Sequence, residues 1–162
     1  MIILAIALLI GAIVAGISYL IVTDEERIEL LVQEVSQAIE DENMSRCMRD
    51  VSDDFIFRPK QVNKARLMSL VQRIFENADK LMVNISLLEI EVDGDDATVV
   101  LNFRLLGEYV GRVEQFVGSR GFILGQPLQA AKATLKLHKT QPDSQGARRW
   151  ILYEVTHFDP GV

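Results

Sequence analysis

Apolar and polar residues alternate along two neighbouring runs of the chain, which meet at Asp93-Gly94. Alternation of this kind is typical of β-strands with one buried face, and glycine accepts the positive φ that a tight primed turn requires. The pattern therefore predicts a long β-hairpin over residues 82–106. In its first arm the apolar positions change parity between Leu87 and Leu88, which predicts a β-bulge that bends the sheet.

Helical patterns precede this hairpin. Apolar residues recur every three or four positions over residues 23–43, and Thr23 is followed three residues later by Glu26, as in a capping box. No Gly or Pro lies between Ile17 and Asn43, so we expect the preceding apolar segment to continue into this helix without a flexible linker. Further predicted elements are a short helix over residues 45–51, a short strand over residues 55–57 ended by Pro59, and a helix from its Asn63 cap to Ala78.

Two more strands are predicted after the hairpin. Residues 128–139 alternate cleanly between apolar and polar side chains. Residues 148–158 are predicted to form the last strand, with Trp150 and Leu152 on one face and Tyr153 and Val155 on the other.

The first 22 residues contain no charged side chain, and the apolar run over residues 2–22 is long enough to cross a bilayer core of about 30 Å. No Lys or Arg precedes the run, and it ends in bulky residues instead of a small-x-small cleavage site. We therefore predict a retained, single-pass signal-anchor over residues 1–22, followed by one domain over residues 23–162.

We expect this anchor to lie in the cytoplasmic membrane. The N-terminal amine and the acidic residues 24–26 favour an orientation with the domain outside the cytoplasm, although Arg27 is the one cation near the end of the run. Ala7, Gly11 and Ala15 are spaced four apart, a small-xxx-small face that could pair two such helices in a homodimer.

The chain is acidic, with 17 Lys and Arg against 23 Asp and Glu, so nucleic acid is not an expected partner. The charge is uneven. Residues 24–103 hold nine basic and 18 acidic side chains, whereas residues 104–149 hold eight basic and three acidic ones. Cys47 is the single cysteine, which excludes an intrachain disulfide.

The order of predicted elements resembles the NTF2-like superfamily. The segments that carry the resemblance are ERIELLVQEVSQAIEDEN, SRCMRDVSDDFIF, ISLLEIEVDGDDATVVLNFRL and RRWILYEVTHF. The resemblance implies an α+β cone, in which a bent antiparallel sheet of four to six strands wraps round helices and encloses a hollow for a ligand. It leaves function open, because the family includes ketosteroid isomerases, dehydratases, transport factors and domains without activity.

Candidate chemistry is sparse. The side chains suited to acid–base catalysis by an isomerase, dehydratase or lyase are Asp53, Asp54, His138 and His157, but no spacing fixes them to those roles. The two histidines are nineteen residues apart without another ligand at metal-site spacing, and no GxGxxG or P-loop motif is present. We therefore expect no metal or cofactor, and we favour a membrane-tethered binding domain over a small-pocket enzyme.

Residues 107–129 interrupt the strand pattern with five glycines and Pro127. A connection of this length in a compact domain is usually functional or mobile, and the alternative is an irregular strand that completes the core. The first interpretation predicts a surface for an anionic or apolar small ligand, a protein partner or lipid, with Ile123 among its exposed residues. Its members are Tyr109, Arg112, Phe116, Arg120, Phe122 and Leu124, with Lys132 and Lys136 on the next strand.

Overall fold

The computed structural model describes residues 22–109, 121–144 and 146–161. Three α-helices, one short 3-10 helix (Arg58–Lys60) and seven strands lie in these ranges, in the mixed order of an α+β fold. The helices are α1 (Asp24–Glu40), α2 (Met44–Met48) and α3 (Lys64–Asn77). The strands are β1 (Val51–Phe57), β2 (Val62–Asn63), β3 (Ala78–Asp93), β4 (Asp96–Tyr109), β5 (Phe122–Leu124), β6 (Ala131–Lys139) and β7 (Trp150–Asp159).

The predicted hairpin is confirmed as β3 and β4, which are longer than expected. Asp93 pairs with Asp96 across a two-residue turn, and Gly94 has a φ of 61° there. A register shift follows Ile85, where Ser86 is the extra residue of a bulge. This bulge lies one residue before the predicted position and bends the long strand as expected.

The strands form one sheet in the order β2-β1-β7-β6-β4-β3, and β5 pairs with β4 beyond β6. Two features correct the sequence-based prediction. The sheet has seven strands among the described residues instead of four to six, because β2 and β5 are short additions. It is mixed instead of fully antiparallel, because β1 pairs with β7 in parallel.

The predicted strict alternation of the last strand is wrong. Two register shifts against β6 leave Tyr153 and Thr156 as extra residues of β7. Each extra residue shifts the inward-facing positions of β7 by one residue. Val155 was predicted to lie on the face opposite to Trp150, but both are buried, with exposures of 7% and 4%. These bulges add to the curvature of the sheet.

Helix α1 begins with the predicted capping box, in which Thr23 and Glu26 exchange backbone–side-chain hydrogen bonds of 2.9 and 3.2 Å. Thr23 itself is extended, with φ −68° and ψ 166°. Helix α1 thus begins at Asp24, and the segment expected to lead into it without a flexible linker lies outside the described residues, apart from Val22. Asn63 caps α3 as predicted, by accepting a hydrogen bond from the backbone N–H of Arg66.

The main core lies where α1 packs on the concave face of the sheet. Ile28 is fully buried against Val99 and Leu137, and Ala38 closes the other end of the helix against α2. Within the described ranges no helix is both long and apolar enough to cross a bilayer. The predicted anchor, with its Ala7, Gly11 and Ala15 face, lies outside these ranges except for Val22.

Candidate functional site

A hollow of about 300 Å³ lies between α1 and the curved sheet. The stripe of α1 that includes Val35 and Ile39 forms one wall, and the inward residues of β4, β6 and β7 form the other. Its polar side chains, among the residues that line it, are Ser36, Cys47 and Asp50. A space of this volume is within the range of small-molecule sites, which are mostly apolar with a few polar groups.

A second hollow of about 340 Å³ lies between α3 and the same sheet. It is lined by apolar side chains together with Lys60. Both hollows share the walls formed by Ile39, Leu67, Val83, Phe103 and Phe158. They are therefore adjacent parts of one apolar interior.

Cys47 is part of the wall of the first hollow, and it is 5% exposed. Burial raises the pKa of its thiol above the ordinary value, so the thiol is protonated at neutral pH. A protonated, buried cysteine behaves as a small apolar residue and reacts only slowly with thiol reagents, through its minor thiolate form. This residue therefore adds to the apolar character of the interior.

Asp50 is the polar residue that lies deepest in the described part of the domain, at 5% exposure. Its Oδ2 accepts a hydrogen bond of 2.8 Å from Nε of Arg49, and Nη2 of the same guanidinium lies 2.7 Å from this oxygen as an ion pair. The other oxygen, Oδ1, lies 3.5 Å from Nη1 of Arg149. The backbone carbonyl of Asp50 accepts a hydrogen bond from the N–H of Leu152, which fixes the residue at the edge of the sheet.

Asp50 also borders a third, more open space of about 320 Å³, which we call the arginine groove. The side chains that line it are Arg27, Leu30, Leu31, Glu34, Arg49, Asp50, Arg148, Arg149 and Trp150. Sequence analysis did not single out this set, because its members come from three distant segments. A clue was available in the adjacent Arg148 and Arg149, which precede the last strand.

The four side chains proposed for acid–base catalysis do not line any of these spaces. Asp53 is 98% exposed and pairs with Lys64 at 2.8 Å, and this hydrogen bond lowers the pKa of the Asp53 carboxyl. Asp54 and His157 are exposed. His138 Nδ1 lies 3.0 Å from Oδ1 of Asp96 on the neighbouring strand. The structure therefore does not bring these residues together.

The predicted surface around the glycine-rich segment is described in part. Arg112, Phe116 and Arg120 lie outside the described residues, and Tyr109 ends β4. Phe122 and Leu124 belong to strand β5. Ile123 between them is 5% exposed, so its assignment to an exposed surface is wrong. Leu124 is half-buried and lines the second hollow.

The two lysines of that predicted surface lie on β6. Lys132 is exposed, and Lys136 donates a hydrogen bond of 2.6 Å from Nζ to Oγ1 of Thr98 on β4. Across the described segments there is no group of three or more His, Cys, Asp and Glu placed to hold a metal ion.

The fold is similar to solved NTF2-like structures. A nuclear transport factor 2 (NTF2-like) superfamily protein from Salmonella enterica serovar Typhimurium LT2 is 10% identical, with a TM-score of 0.61 over 85% of this chain and 91% of that chain. A proposed dehydratase of the NTF2-like family from Streptomyces avermitilis is 16% identical, with a TM-score of 0.58 over 86% and 96%. A proposed ketosteroid isomerase from Shewanella frigidimarina is 16% identical, with a TM-score of 0.53 over 80% and 91%.

The chain therefore has the NTF2-like fold, as its sequence predicts. The sequence itself matches no protein-family model and no curated protein. At these identities the likeness extends to the fold alone, because proteins of one fold carry out different chemistry.

Proposed function

We propose that this domain is a non-catalytic binding module that holds an apolar ligand in its interior. The observation that carries the proposal is the pair of adjoining hollows of about 300 and 340 Å³ with nearly continuous apolar walls. Transfer of a ligand into such a space contributes about 25 cal/mol for each Å² of apolar surface removed from water. The few polar groups at the wall would then orient the ligand.

The placement of the titratable groups supports binding over catalysis. An acid–base enzyme needs a base and an acid within hydrogen-bond reach of the reacting atoms. The two histidines lie away from the hollows, and the Cys47 thiol is kept protonated by burial. Asp50 does reach the wall, but guanidinium groups approach both of its carboxylate oxygens.

The charge-free apolar run over residues 2–22 motivates the further proposal that the domain is tethered to the cytoplasmic membrane and lies outside the cytoplasm. Retention of the segment is tested by N-terminal sequencing of the protein isolated from membranes. The side on which the domain lies is tested by adding protease to intact spheroplasts. A mature start near Thr23, or a domain that protease cannot reach, would contradict the respective part of this proposal.

Binding can be tested at Cys47, because it is the single thiol of the chain and part of the hollow's wall. The full chain is placed in nanodiscs bounded by an aliphatic polymer, which contributes no thiol that could react in place of Cys47. We expect decanol, a neutral single-chain ligand, to slow the alkylation of Cys47 by N-ethylmaleimide in a saturable way.

The control is a pair of substitutions on α1. Ser36→Phe places a ring in the hollow, whereas Gln33→Phe places the same ring on the exposed face of the helix. We expect protection by decanol to be lost in Ser36→Phe and kept in Gln33→Phe. If decanol leaves the alkylation rate unchanged in the natural sequence, or if both variants are still protected, the proposal is wrong.

A further inference from the structure

The apolar interior ends at a charged boundary. Leu31 and Asp50 line both the first hollow and the arginine groove. The two spaces are therefore neighbours, and Leu31 and the ion-paired carboxylate of Asp50 lie between them. A ligand with one apolar and one polar end could occupy both at once.

The groove carries more positive than negative side chains, with four arginines against Glu34 and Asp50. Two of the arginines already have carboxylate partners. Arg148 donates to Asp95 at 2.6 Å, and Arg49 is held between Glu34 and Asp50. The first of these contacts lowers the pKa of Asp95, and the contact with Arg49 lowers the pKa of Glu34, so both carboxylates stay ionised at neutral pH.

The other two guanidinium groups are available to a ligand. Arg149 is 62% exposed, and its distance of 3.5 Å from Asp50 is longer than a normal hydrogen bond. Arg27 is exposed and has no ion pair within 4.0 Å among the described residues. A planar guanidinium presents paired N–H donors that match the oxygens of a carboxylate or a phosphate.

We propose that the ligand is a single-chain amphiphile with an anionic head, either a carboxylate or a phosphate monoester. This inference rests on the proposed function, because the chain of the amphiphile occupies the apolar hollow. The head lies in the arginine groove against Arg149 and Arg27, beyond the boundary formed by Leu31 and Asp50. Asp50 repels the head less than an unpaired carboxylate would, because Nε and Nη2 of Arg49 lie 2.8 and 2.7 Å from its Oδ2.

A cationic head is disfavoured in this groove, because four guanidinium groups line the space against the two carboxylates of Glu34 and Asp50. A neutral head would lack an acceptor charge for the two available arginines. The geometry therefore selects the sign of the head group, in addition to the apolar chain.

The test compares decanoate, decyl phosphate and decanol on the full chain in the same polymer nanodiscs, with protection of Cys47 as the readout. Free ligand is corrected for partition into empty nanodiscs. We expect the midpoint, which is the ligand concentration that gives half-maximal protection of Cys47, to be at least about tenfold lower for one or both anionic ligands than for decanol. A charge-assisted hydrogen bond to the head group can contribute a difference of this size. Comparison of the two anions identifies which head the groove takes.

Arg27→Gln removes a guanidinium without breaking a described ion pair, and Arg149→Gln removes the one nearest to Asp50. Both should raise the midpoint of the anionic ligand towards that of decanol and leave the midpoint of decanol unchanged. Arg66→Gln, at an exposed position on α3, is the matched control and should change neither.

Three outcomes would overturn the inference, and they are distinguishable. If decanol and both anions protect equally, the domain binds apolar chains without recognition of the head. If the arginine substitutions weaken decanol as much as the anions, these residues support the hollow and not the head. If no ligand protects Cys47, the proposed function is wrong and this inference falls with it.

Discussion

The carboxylate of Asp24 accepts a hydrogen bond of 2.6 Å from Nζ of Lys139, although 115 residues separate the two in the chain. The other carboxylate oxygen of Asp24 lies 3.3 Å from Nε1 of Trp150, and the Lys139 ammonium lies 5.0 Å from the ring centroid of the same tryptophan. Three residues from α1, β6 and β7 thus form one contact, which we call the Asp24 clamp. It holds the first turn of α1 against the sheet.

The Asp24 clamp should contribute measurably to stability. We expect Lys139→Met to lower the free energy of unfolding by about 1 kcal/mol, because the pair is charge-assisted but Asp24 is still partly exposed. Urea unfolding of the full chain in nanodiscs, followed by circular dichroism, measures the change. Lys80→Met is the control, since the Lys80–Glu108 pair is exposed on both sides, and its loss should lower the free energy of unfolding clearly less than Lys139→Met does. Equal losses in the two variants would show that the clamp has no special role.

The same clamp predicts a pH dependence. The hydrogen bond from Lys139 is the main reason that the pKa of Asp24 lies below its ordinary value of 3.8. Stability from this group is therefore complete above the ordinary value and is lost as the pH falls through the lowered one. We expect the difference in unfolding free energy between the natural sequence and Lys139→Met to be constant from neutral pH to about pH 5 and to shrink below about pH 4. A difference that grows on acidification would contradict the assignment.

The turn of the long hairpin gives a third prediction. Gly94 has a φ of 61°, and a Cβ added there would meet no atom within 4 Å, so the cost of substitution is backbone strain alone. We expect Gly94→Ala to destabilise the domain by about 1 kcal/mol and Gly94→Asn to cost less, because asparagine adopts this conformation more readily. Urea unfolding of both variants tests this. If alanine is tolerated at least as well as asparagine, the turn does not hold this conformation.

Strand β5 separates a core role from a binding role for the glycine-rich part of the chain. Ile123→Ala should cost about 2–4 kcal/mol, because the side chain is buried against Leu81 and Leu105. Phe122→Ala and Leu124→Ala should cost less, since both side chains are half-buried. Thermal melting of the three variants provides the comparison. If none lowers the melting temperature but all abolish ligand or lipid association, β5 is a surface and the core assignment fails.

Local signals made most of the elements predictable. The capping sequences at Thr23 and Asn63 and the glycine of the hairpin turn act over three or four residues, so the sequence displays them directly. The two bulges of β7 depend on its pairing with β6 across a long loop, and nothing within the strand marks Tyr153 or Thr156 as extra. The parallel pairing of β1 with β7 is likewise non-local.

The candidate site was harder to predict, for a similar reason. Asp50 follows a short helix and resembles a solvated turn residue in the sequence, whereas Asp53 and Asp54 form the more conspicuous pair. Burial of Asp50 results from its contact with the start of β7, and Arg149 reaches it only once the sheet has assembled. The apolar stripe of α1 did predict which face of that helix turns inward, but not that unfilled space would remain between it and the sheet.

Helix α1 forms one wall of the hollow. Its first residue, Asp24, also comes shortly after the apolar run over residues 2–22. The extended backbone of Thr23 ends the helical geometry immediately before Asp24. The Asp24 clamp then fixes the start of α1 to strands β6 and β7. If the upstream segment is the proposed anchor, a force on it would meet this contact with the sheet before it reached the turns of α1 that line the hollow.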